Sequence, residues 1–328
     1  MRGALLGGIV WAFAALHTPG LAADFTDSAG RHVDVPEHAT RIIPAGPPAD
    51  VLLYALAPDA MAGLVEPWTS GQATCVPEAF RALAKIPRIT AKAGDADVGA
   101  LKAFKPGLVV DYGDVNADYA ALADKMEAAL GTPYVLLDGR LEAAPGVVRK
   151  LGAALGRGAR AEEIAGALDR ALDRLAFVKG VPPDARVAIY YARGKDGLQA
   201  VRAGSSLGEA LELAGARNVV PAGQGAFVAM TIEDVVALKP TAVILADPAA
   251  GAPDSALRKA LPAGTRFLFD RGSPYPWMEK PPSVNRLVSA LALAQRIYPD
   301  QAKGAADEAA ALARVLFGER SQALGLAE

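Results

Sequence analysis

Residues 105–138 read KPGLVVDYGDVNADYAALADKMEAALGTPYVLLD, and this stretch predicts a strand, a helix and a second strand. The apolar run at 108–110 has the composition of a strand buried on both faces. Apolar side chains recur at helical spacing over 119–130, and Gly131 and Pro133 are typical of residues just past a helix end. A second buried strand follows. This order of elements is typical of a parallel sheet covered by helices.

The same alternation of strand and helix extends to both sides of this unit. The pattern predicts strands at 41–45, 186–191, 241–245 and 266–269, and helices at 50–56, 207–214, 231–238 and 283–298. Between the two sets of strands, residues 145–178 are helical in pattern, with a break at 156–158. We therefore predict an α/β fold of two Rossmann-like lobes joined by a rigid helical connector.

The predicted organisation has four parts, which are an export signal at 1–23, an N-terminal lobe at 24–141, the connector at 142–180 and a C-terminal lobe at 181–328. A connector made of helix limits how far the two lobes can swing apart. The cleft at their boundary faces the carboxyl ends of the strands, where open α/β sheets usually bind ligands.

The N-terminus has the pattern of an export signal. Arg2 is followed by an apolar run at 5–16, then by Pro19, Gly20 and small residues up to Ala23. The run is shorter than the roughly 20 residues that span a bilayer, which favours a cleaved signal over a membrane anchor. We expect a soluble, periplasmic protein that begins near Ala23 or Asp24.

Composition narrows the partners. The formal net charge is −2, and the basic residues are scattered among as many acidic ones, which speaks against a nucleic-acid partner. Cys75 is the only cysteine, so the chain cannot form an internal disulfide, and no cysteine beside the cleavage point is present to carry a lipid anchor. We expect a monomer.

One stretch of the amino-acid sequence matches an enzyme motif. Residues 204–208 match the G-x-S-x-G pattern, with Ser206 in the nucleophile position and a predicted helix behind it. The mechanism needs a histidine after the serine, whereas the three histidines, His17, His32 and His38, all precede it. An exported serine hydrolase is therefore a remote alternative, and we predict that the chain is not an enzyme. The sequence also contains no His or Cys pair with the spacing of metal ligands, so no metal ligands are predicted.

Aromatic, arginine and hydroxyl side chains at loops and strand ends are the candidate ligand-binding residues. Two tryptophans lie in proline-flanked loops, and other candidates follow the carboxyl ends of predicted strands, where a planar guanidinium suits an anionic group. The predicted binding residues are Trp68, Tyr112, Tyr191, Arg193, Ser205, Arg271, Tyr275 and Trp277.

Many short motifs in one order resemble the iron-complex and cobalamin type of periplasmic solute-binding protein. They begin with the D-x-x-G-R-x-V-x-V-P pattern at 27–36 and continue at 75–78, 86–89, 101–109, 211–219 and 232–240. Residues 193–198 and 281–287 are similar to a subgroup of that family that includes binders of molybdate-like oxyanions. The segment between Asp247 and Arg266 is shorter than is usual in the family.

The resemblance implies the class III periplasmic-binding-protein architecture, with small closure on binding and docking onto the permease of an ABC importer. Docking would use one acidic residue in each lobe, for which Glu78 and either Glu209 or Glu212 are the candidates by position.

The resemblance also implies the ligand class. We expect an iron complex, such as a ferric siderophore, with molybdate or tungstate as the runner-up and cobalamin or haem as further alternatives. The ligand itself would carry the iron, cobalt or molybdenum, and no protein-bound cofactor is expected.

Overall fold

The computed structural model describes residues 22–90, 96–270, 282–321 and 326–327, and strands alternate with helices through most of them. The expected signal at 1–23 lies almost entirely outside the described residues. Its last two residues, Ala22 and Ala23, belong to the first strand, which therefore starts slightly before the expected mature end.

In the first part of the chain, residues 22–90 and 96–138 form seven strands and four α-helices. The strands are β1 (Ala22–Thr26), β2 (His32–Pro36), β3 (Ile42–Pro44), β4 (Gly63–Leu64), β5 (Ala84–Lys85), β6 (Leu108–Gly113) and β7 (Tyr134–Asp138), and the helices are α1 (Pro47–Leu56), α2 (Ser70–Ala73), α3 (Val98–Ala103) and α4 (Ala117–Leu130).

A small parallel sheet forms the centre of this part. Its strand order is β3-β6-β7, and the predicted unit of strand, helix and strand at 105–138 is confirmed as β6, α4 and β7. The side chain of Asn116 caps α4 by accepting hydrogen bonds from the N–H groups of Asp118 and Tyr119, and Gly131 ends the helix at a φ of 65°. Outside this sheet, β1 and β2 form an antiparallel hairpin.

Two helices follow, α5 (Ala144–Ala154) and α6 (Gly158–Leu175), with the break between them where the sequence predicts it. They pack closely because glycine stands at their contact. A Cβ atom added to Gly152 would lie 2.1 Å from the Cβ of Ala161.

The last part of the chain contains the larger sheet. Its strands are β8 (Ala188–Arg193), β9 (Gln199–Val201), β10 (Arg217–Asn218), β11 (Phe227–Ala229), β12 (Ala242–Leu245), β13 (Arg266–Asp270) and β14 (Leu326–Ala327), and its helices are α7 (Ser206–Leu213), α8 (Ile232–Ala237), α9 (Ala256–Ala260), α10 (Arg286–Ile297) and α11 (Ala305–Phe317).

The strand order of this sheet is β11-β9-β8-β12-β13-β14, with β10 paired to the first two residues of β8, outside this order. Strands β10, β8, β12 and β13 are parallel, whereas β9 turns back along β8 as an antiparallel hairpin. The three buried strands predicted here are confirmed as β8, β12 and β13. Strand β9 was not predicted.

The last two helices return to the rest of the molecule. Both α10 and α11 pack against α6, and α11 also contacts α1 of the first part. There the ring of Phe317 stacks on that of Tyr54, with centroids 5.6 Å apart. One hydrophobic core therefore runs from the small sheet through α6 to the large sheet. Within the described residues, no helix has both the length and the apolar character needed to cross a bilayer.

Candidate functional site

A cavity of about 700 Å³ opens between the two sheets. Its first wall comes from residues at and beyond the carboxyl ends of β6 and β7, which are Asp111, Tyr112, Gly113, Asp114, Asp138, Gly139 and Arg140. Its second wall comes from the N-terminal regions of α7 and α10, which contribute Gly204, Ser205, Ser206, Glu209, Glu212, Pro282 and Arg286. We call this cavity the cleft. Its position matches the predicted ligand site at the boundary between the lobes.

Arg286 lies at the floor of the cleft, where it links the two walls. It is the first residue of α10 and is only 1% exposed. One guanidinium nitrogen donates to the carbonyl of Gly139 at 2.8 Å, and the other donates to Glu209 Oε2 at 3.2 Å. Its Nε donates to the carbonyl of Ser283 at 3.2 Å. A buried cation is costly unless it is paired, so these contacts hold the guanidinium in place.

Glu209, in the first turn of α7, is the charged partner of Arg286 among the described residues. Its other carboxylate oxygen accepts a hydrogen bond from the backbone N–H of Leu141 at 2.8 Å. Burial raises the pKa of Glu209, and the contacts with Arg286 and Leu141 counteract that rise. Glu209 was predicted as a permease-docking residue, but the structure places its carboxylate inside the cleft.

Tyr112 stands beside this ion pair. Its side chain is 1% exposed, and its hydroxyl has no hydrogen-bond partner within the described part of the chain. Burial raises the pKa of Tyr112, and the charges that act on its hydroxyl are those of Arg286, Glu209 and Asp138. All three of those residues line the cleft. The hydroxyl is therefore an unused hydrogen-bonding group among the charges of the cleft floor.

The acidic side chains higher in the first wall are mostly engaged. Arg140 donates to Asp138 through Nε at 2.9 Å and through a terminal nitrogen at 2.5 Å. Burial raises the pKa of Asp138, but the bonds to Arg140 outweigh that effect and hold the pKa below its usual value. Burial raises the pKa of Asp111 to about 6, although Tyr134 donates a hydrogen bond to it at 2.8 Å. Arg88 also lines this wall. The pairing of Asp138 with Arg140 thus reduces the repulsion that an anionic ligand would meet.

Ser205 and Ser206 begin the second wall. Ser205 caps α7, because its Oγ accepts a hydrogen bond from the N–H of Gly208 at 3.1 Å and donates to the carbonyl of Arg202 at 2.6 Å. Ser206 also lines the cleft, but no histidine is among the residues that line it. His32 lies in β2 and contacts Asp24 at 3.0 Å. Among the described residues, the groups that a serine hydrolase requires are therefore not brought together.

Three predicted binding residues lie elsewhere. Trp68 packs edge-on against Tyr54 with ring centroids 5.1 Å apart, and its Nε1 donates to the carbonyl of Phe80 at 3.1 Å. Tyr191 is buried in the core. Arg193 bonds to Gln199 and lies over the ring of Phe227. Neither Tyr191 nor Arg193 reaches the cleft because β8 continues into the hairpin with β9 instead of ending at the boundary between the lobes.

Arg271, Tyr275 and Trp277 lie outside the described residues, and their role in binding stays a prediction. Of the docking candidates, Glu78 begins an exposed 3-10 turn away from the cleft. Glu212 lines the cleft and accepts a hydrogen bond from the N–H of Gly204 at 3.0 Å.

Several cleft residues were missed from the sequence. Asp138 is the last residue of β7 and Arg140 follows it, much as Tyr112 lies at the end of β6, so the strand-end argument applied to β7 would have found them. Arg286 carried no such signal, because the partners that place it in the cleft, Gly139 and Glu209, are distant in sequence. Within the described residues, no group of three or more His, Cys, Asp or Glu side chains could hold a metal ion.

No protein-family model and no curated protein sequence matches this chain. Solved structures do match it. An ABC transporter solute-binding protein from Sulfurospirillum deleyianum is 24% identical, with a TM-score of 0.79 over 90% of this chain and 94% of its own. A TroA-like periplasmic binding protein, FepB, from Veillonella parvula is 17% identical, with a TM-score of 0.67 over 90% and 96% of the two chains.

The third structure is the molybdate periplasmic binding protein MolA of Haemophilus influenzae, bound to molybdate. It is 17% identical, with a TM-score of 0.66 over 89% of this chain and 97% of its own. The chain therefore has the fold of the class III, TroA-like periplasmic binding proteins, and the predicted fold class is confirmed.

Proposed function

We propose that this protein is the periplasmic solute-binding component of an ABC importer and that it captures an iron complex in the cleft. The observation that carries the proposal is the cleft itself, a cavity of about 700 Å³ between two α/β sheets joined by packed helices. Its volume lies in the range of roughly 300–1,000 Å³ that is usual for organic ligands. A single tetrahedral oxyanion would leave most of that space to water.

The charges of the cleft support an anionic chelate. Arg88, Arg140 and Arg286 line it, and guanidinium groups suit carboxylate and catecholate oxygens because their N–H donors lie in one plane. The side chain of Arg140 is 78% exposed, so it is accessible to a ligand entering the cleft.

Molybdate or tungstate is the second candidate. The unpaired hydroxyl of Tyr112 beside the guanidinium of Arg286 offers donors of the kind that oxyanions accept. The fold shared with a molybdate-bound protein is consistent with this candidate. Cobalamin and haem have less support, since among the residues that the structure describes neither Trp68 nor a histidine lines the cleft.

Delivery to a permease belongs to the same proposal. Glu78 is exposed on the first lobe and is the proposed docking residue there. Glu212 takes that role on the second lobe, because Glu209 is engaged with Arg286. The signal at 1–23, periplasmic location, monomeric state and absence of enzymatic activity are parts of the proposal as well.

Ligand-induced thermal stabilisation of the chain from Asp24 onward tests the proposal. The probes are ferric citrate, a ferric tris-catecholate, molybdate, tungstate, cobalamin and haemin. A ligand at a hundredfold its dissociation constant should add roughly 2.7 kcal/mol to the free energy of unfolding. Stabilisation by a ferric chelate supports the proposal. Stabilisation by molybdate or tungstate alone would replace the iron complex with the second candidate.

A pair of arginine variants assigns any stabilisation to the cleft. Arg140→Ala removes a guanidinium at the cleft, whereas Arg174→Ala removes one from the last turn of α6. We expect Arg140→Ala to weaken binding of the ferric chelate about tenfold, as for the loss of one charge-assisted hydrogen bond, and Arg174→Ala to leave it unchanged. Equal effects of the two variants would place the ligand outside the cleft.

A further inference from the structure

The floor of the cleft brings together three kinds of donor. Tyr112 contributes a hydroxyl that is buried and unpaired. Arg286 contributes a buried guanidinium, three of whose five N–H groups donate to Ser283, Glu209 and Gly139. The N-terminal end of α7, at 204–206, also lines the cleft. The N–H groups of Gly204, Ser205 and Gly208 already donate to other acceptors, which leaves those of Ser206 and Leu207 as the first-turn groups with no acceptor within the helix.

The unpaired hydroxyl of Tyr112 is the informative member of this set. A buried hydroxyl without a partner costs free energy, and most buried polar groups are therefore bonded. A phenylalanine would fill the same space without that cost. The charges that act on this hydroxyl, those of Arg286, Glu209 and Asp138, all belong to residues lining the cleft. The hydroxyl of Tyr112 is therefore positioned to bind a ligand and does not stabilise the ligand-free fold.

We infer that the cleft floor, made of Tyr112, Arg286 and the first turn of α7, is a subsite for one anionic oxygen group of the ligand. The shared chemistry is an oxygen acceptor with negative charge, which a carboxylate, a catecholate or a free oxyanion provides. The inference rests on the proposed binding function and deepens it by assigning where the charged end of the ligand is held.

Glu209 does not block such a group. Its carboxylate is already bonded to Arg286 and to the backbone N–H of Leu141, so both of its oxygens are engaged. In holding Arg286 it acts as a positioning residue for the guanidinium at the floor.

Two matched tyrosine variants test the inference. Tyr112→Phe removes the unpaired hydroxyl in the cleft, whereas Tyr190→Phe removes an equally buried hydroxyl that donates to the carbonyl of Gly197 at 2.9 Å. Without ligand, we expect Tyr112→Phe to unfold at the same temperature as the wild type or a higher one, and Tyr190→Phe to unfold at a lower one. A Tyr112→Phe protein destabilised as much as Tyr190→Phe would overturn the inference, since the hydroxyl would then have a structural partner.

Binding is then measured by calorimetry with ferric citrate, a ferric tris-catecholate and molybdate as separate probes. We expect Tyr112→Phe to lose about tenfold or more in affinity for the probe that the wild type binds, because a hydrogen bond to a charged group is lost. Tyr190→Phe should bind as the wild type does. Unchanged affinity in Tyr112→Phe would overturn the inference. The probe that binds identifies the source of the anionic oxygen.

The remaining outcomes separate this inference from the proposed function. If the wild type bound cobalamin but none of the anionic probes, the subsite would be wrong and the binding function would stand. If it bound none of the probes, the iron-complex proposal and the subsite would both be overturned.

Discussion

Asp50 is buried in the first turn of α1 and holds the loop after β4. Its two carboxylate oxygens accept hydrogen bonds from the N–H of Val65 at 2.9 Å and from that of Glu66 at 3.0 Å. Burial raises the pKa of Asp50 to about 7, although both of these bonds counteract the rise. The carboxyl therefore takes up a proton in the folded state at a pH where the unfolded chain has released it.

The stability of the protein should accordingly fall as the pH rises. A folded-state pKa above the unfolded value stabilises the fold fully below about pH 4, and this contribution is lost as the pH rises through about 7. We expect a loss on the order of 2 to 4 kcal/mol in the free energy of unfolding from this group. Urea denaturation between pH 4.5 and 8, roughly the range between the two pKa values, measures it.

Asp50→Asn removes the titrating group and should flatten that part of the pH profile. The matched control is Asp118→Asn, at an exposed position in the first turn of α4. A profile as steep in Asp50→Asn as in the wild type would contradict the assignment to Asp50.

Trp68 has a structural role that its sequence context did not reveal. Its ring packs on Tyr54 and its Nε1 is bonded to the carbonyl of Phe80. We expect Trp68→Ala to lower the free energy of unfolding by roughly 2–4 kcal/mol, somewhat less than for a fully buried tryptophan, and to leave ligand affinity unchanged. Chemical denaturation and calorimetry measure the two effects. Loss of affinity without loss of stability would restore the original prediction that Trp68 binds the ligand.

The contact between α5 and α6 depends on one glycine. A methyl group at Gly152 would meet the Cβ of Ala161 at 2.1 Å, so Gly152→Ala must push the helices apart and should cost about 1–3 kcal/mol of stability. Gly146 on the same helix is the matched control, since a Cβ added there meets nothing within 4 Å. Gly146→Ala should stabilise the protein by about 0.5–1 kcal/mol through its higher helix propensity. Thermal denaturation that ranks the two variants the other way would contradict this packing.

Elements with strong local patterns were predictable from the sequence. The unit β6, α4 and β7 combines long apolar runs with helical spacing and a glycine at the helix end. Because residues at the carboxyl end of a parallel strand usually face the ligand site, the position of β6 also predicted that Tyr112 lies in the cleft. Strand β9 is only three residues long and carries no such pattern. Missing it misplaced Tyr191 and Arg193, because a strand that turns back into a hairpin does not present its end to a ligand.

The remaining site residues depend on contacts between distant parts of the chain. Arg286 is buried at the start of a helix only because Gly139 and Glu209 accept its hydrogen bonds, and neither lies near it in sequence. The local sequence around a proline-flanked tryptophan is the same whether the ring contacts a ligand or, as that of Trp68 does, packs on its own lobe. Local physical rules cannot separate such cases.

One hydrophobic cluster spans both lobes, whereas two others lie within one lobe each. Helices α10 and α11 connect the large sheet to α6 and α1, so unfolding of either lobe would expose apolar surface of the other. We expect one cooperative unfolding transition, with tryptophan fluorescence and far-ultraviolet circular dichroism coinciding. A Trp277→Phe variant from which 1–23 is removed leaves Trp68 as the sole tryptophan and thus as a reporter of the first lobe. Two separate transitions would show that the lobes are independent.

The stacking of Phe317 on Tyr54 has a consequence for the timing of folding during synthesis. The ring that covers this part of α1 belongs to α11, so a growing chain leaves that apolar surface open until residue 317 has emerged from the ribosome. Such a delay favours translocation of the chain through a membrane pore before it folds, which suits a protein proposed to act in the periplasm. The N-terminal lobe is thus synthesised first, but its core is complete only once α11 packs on α1.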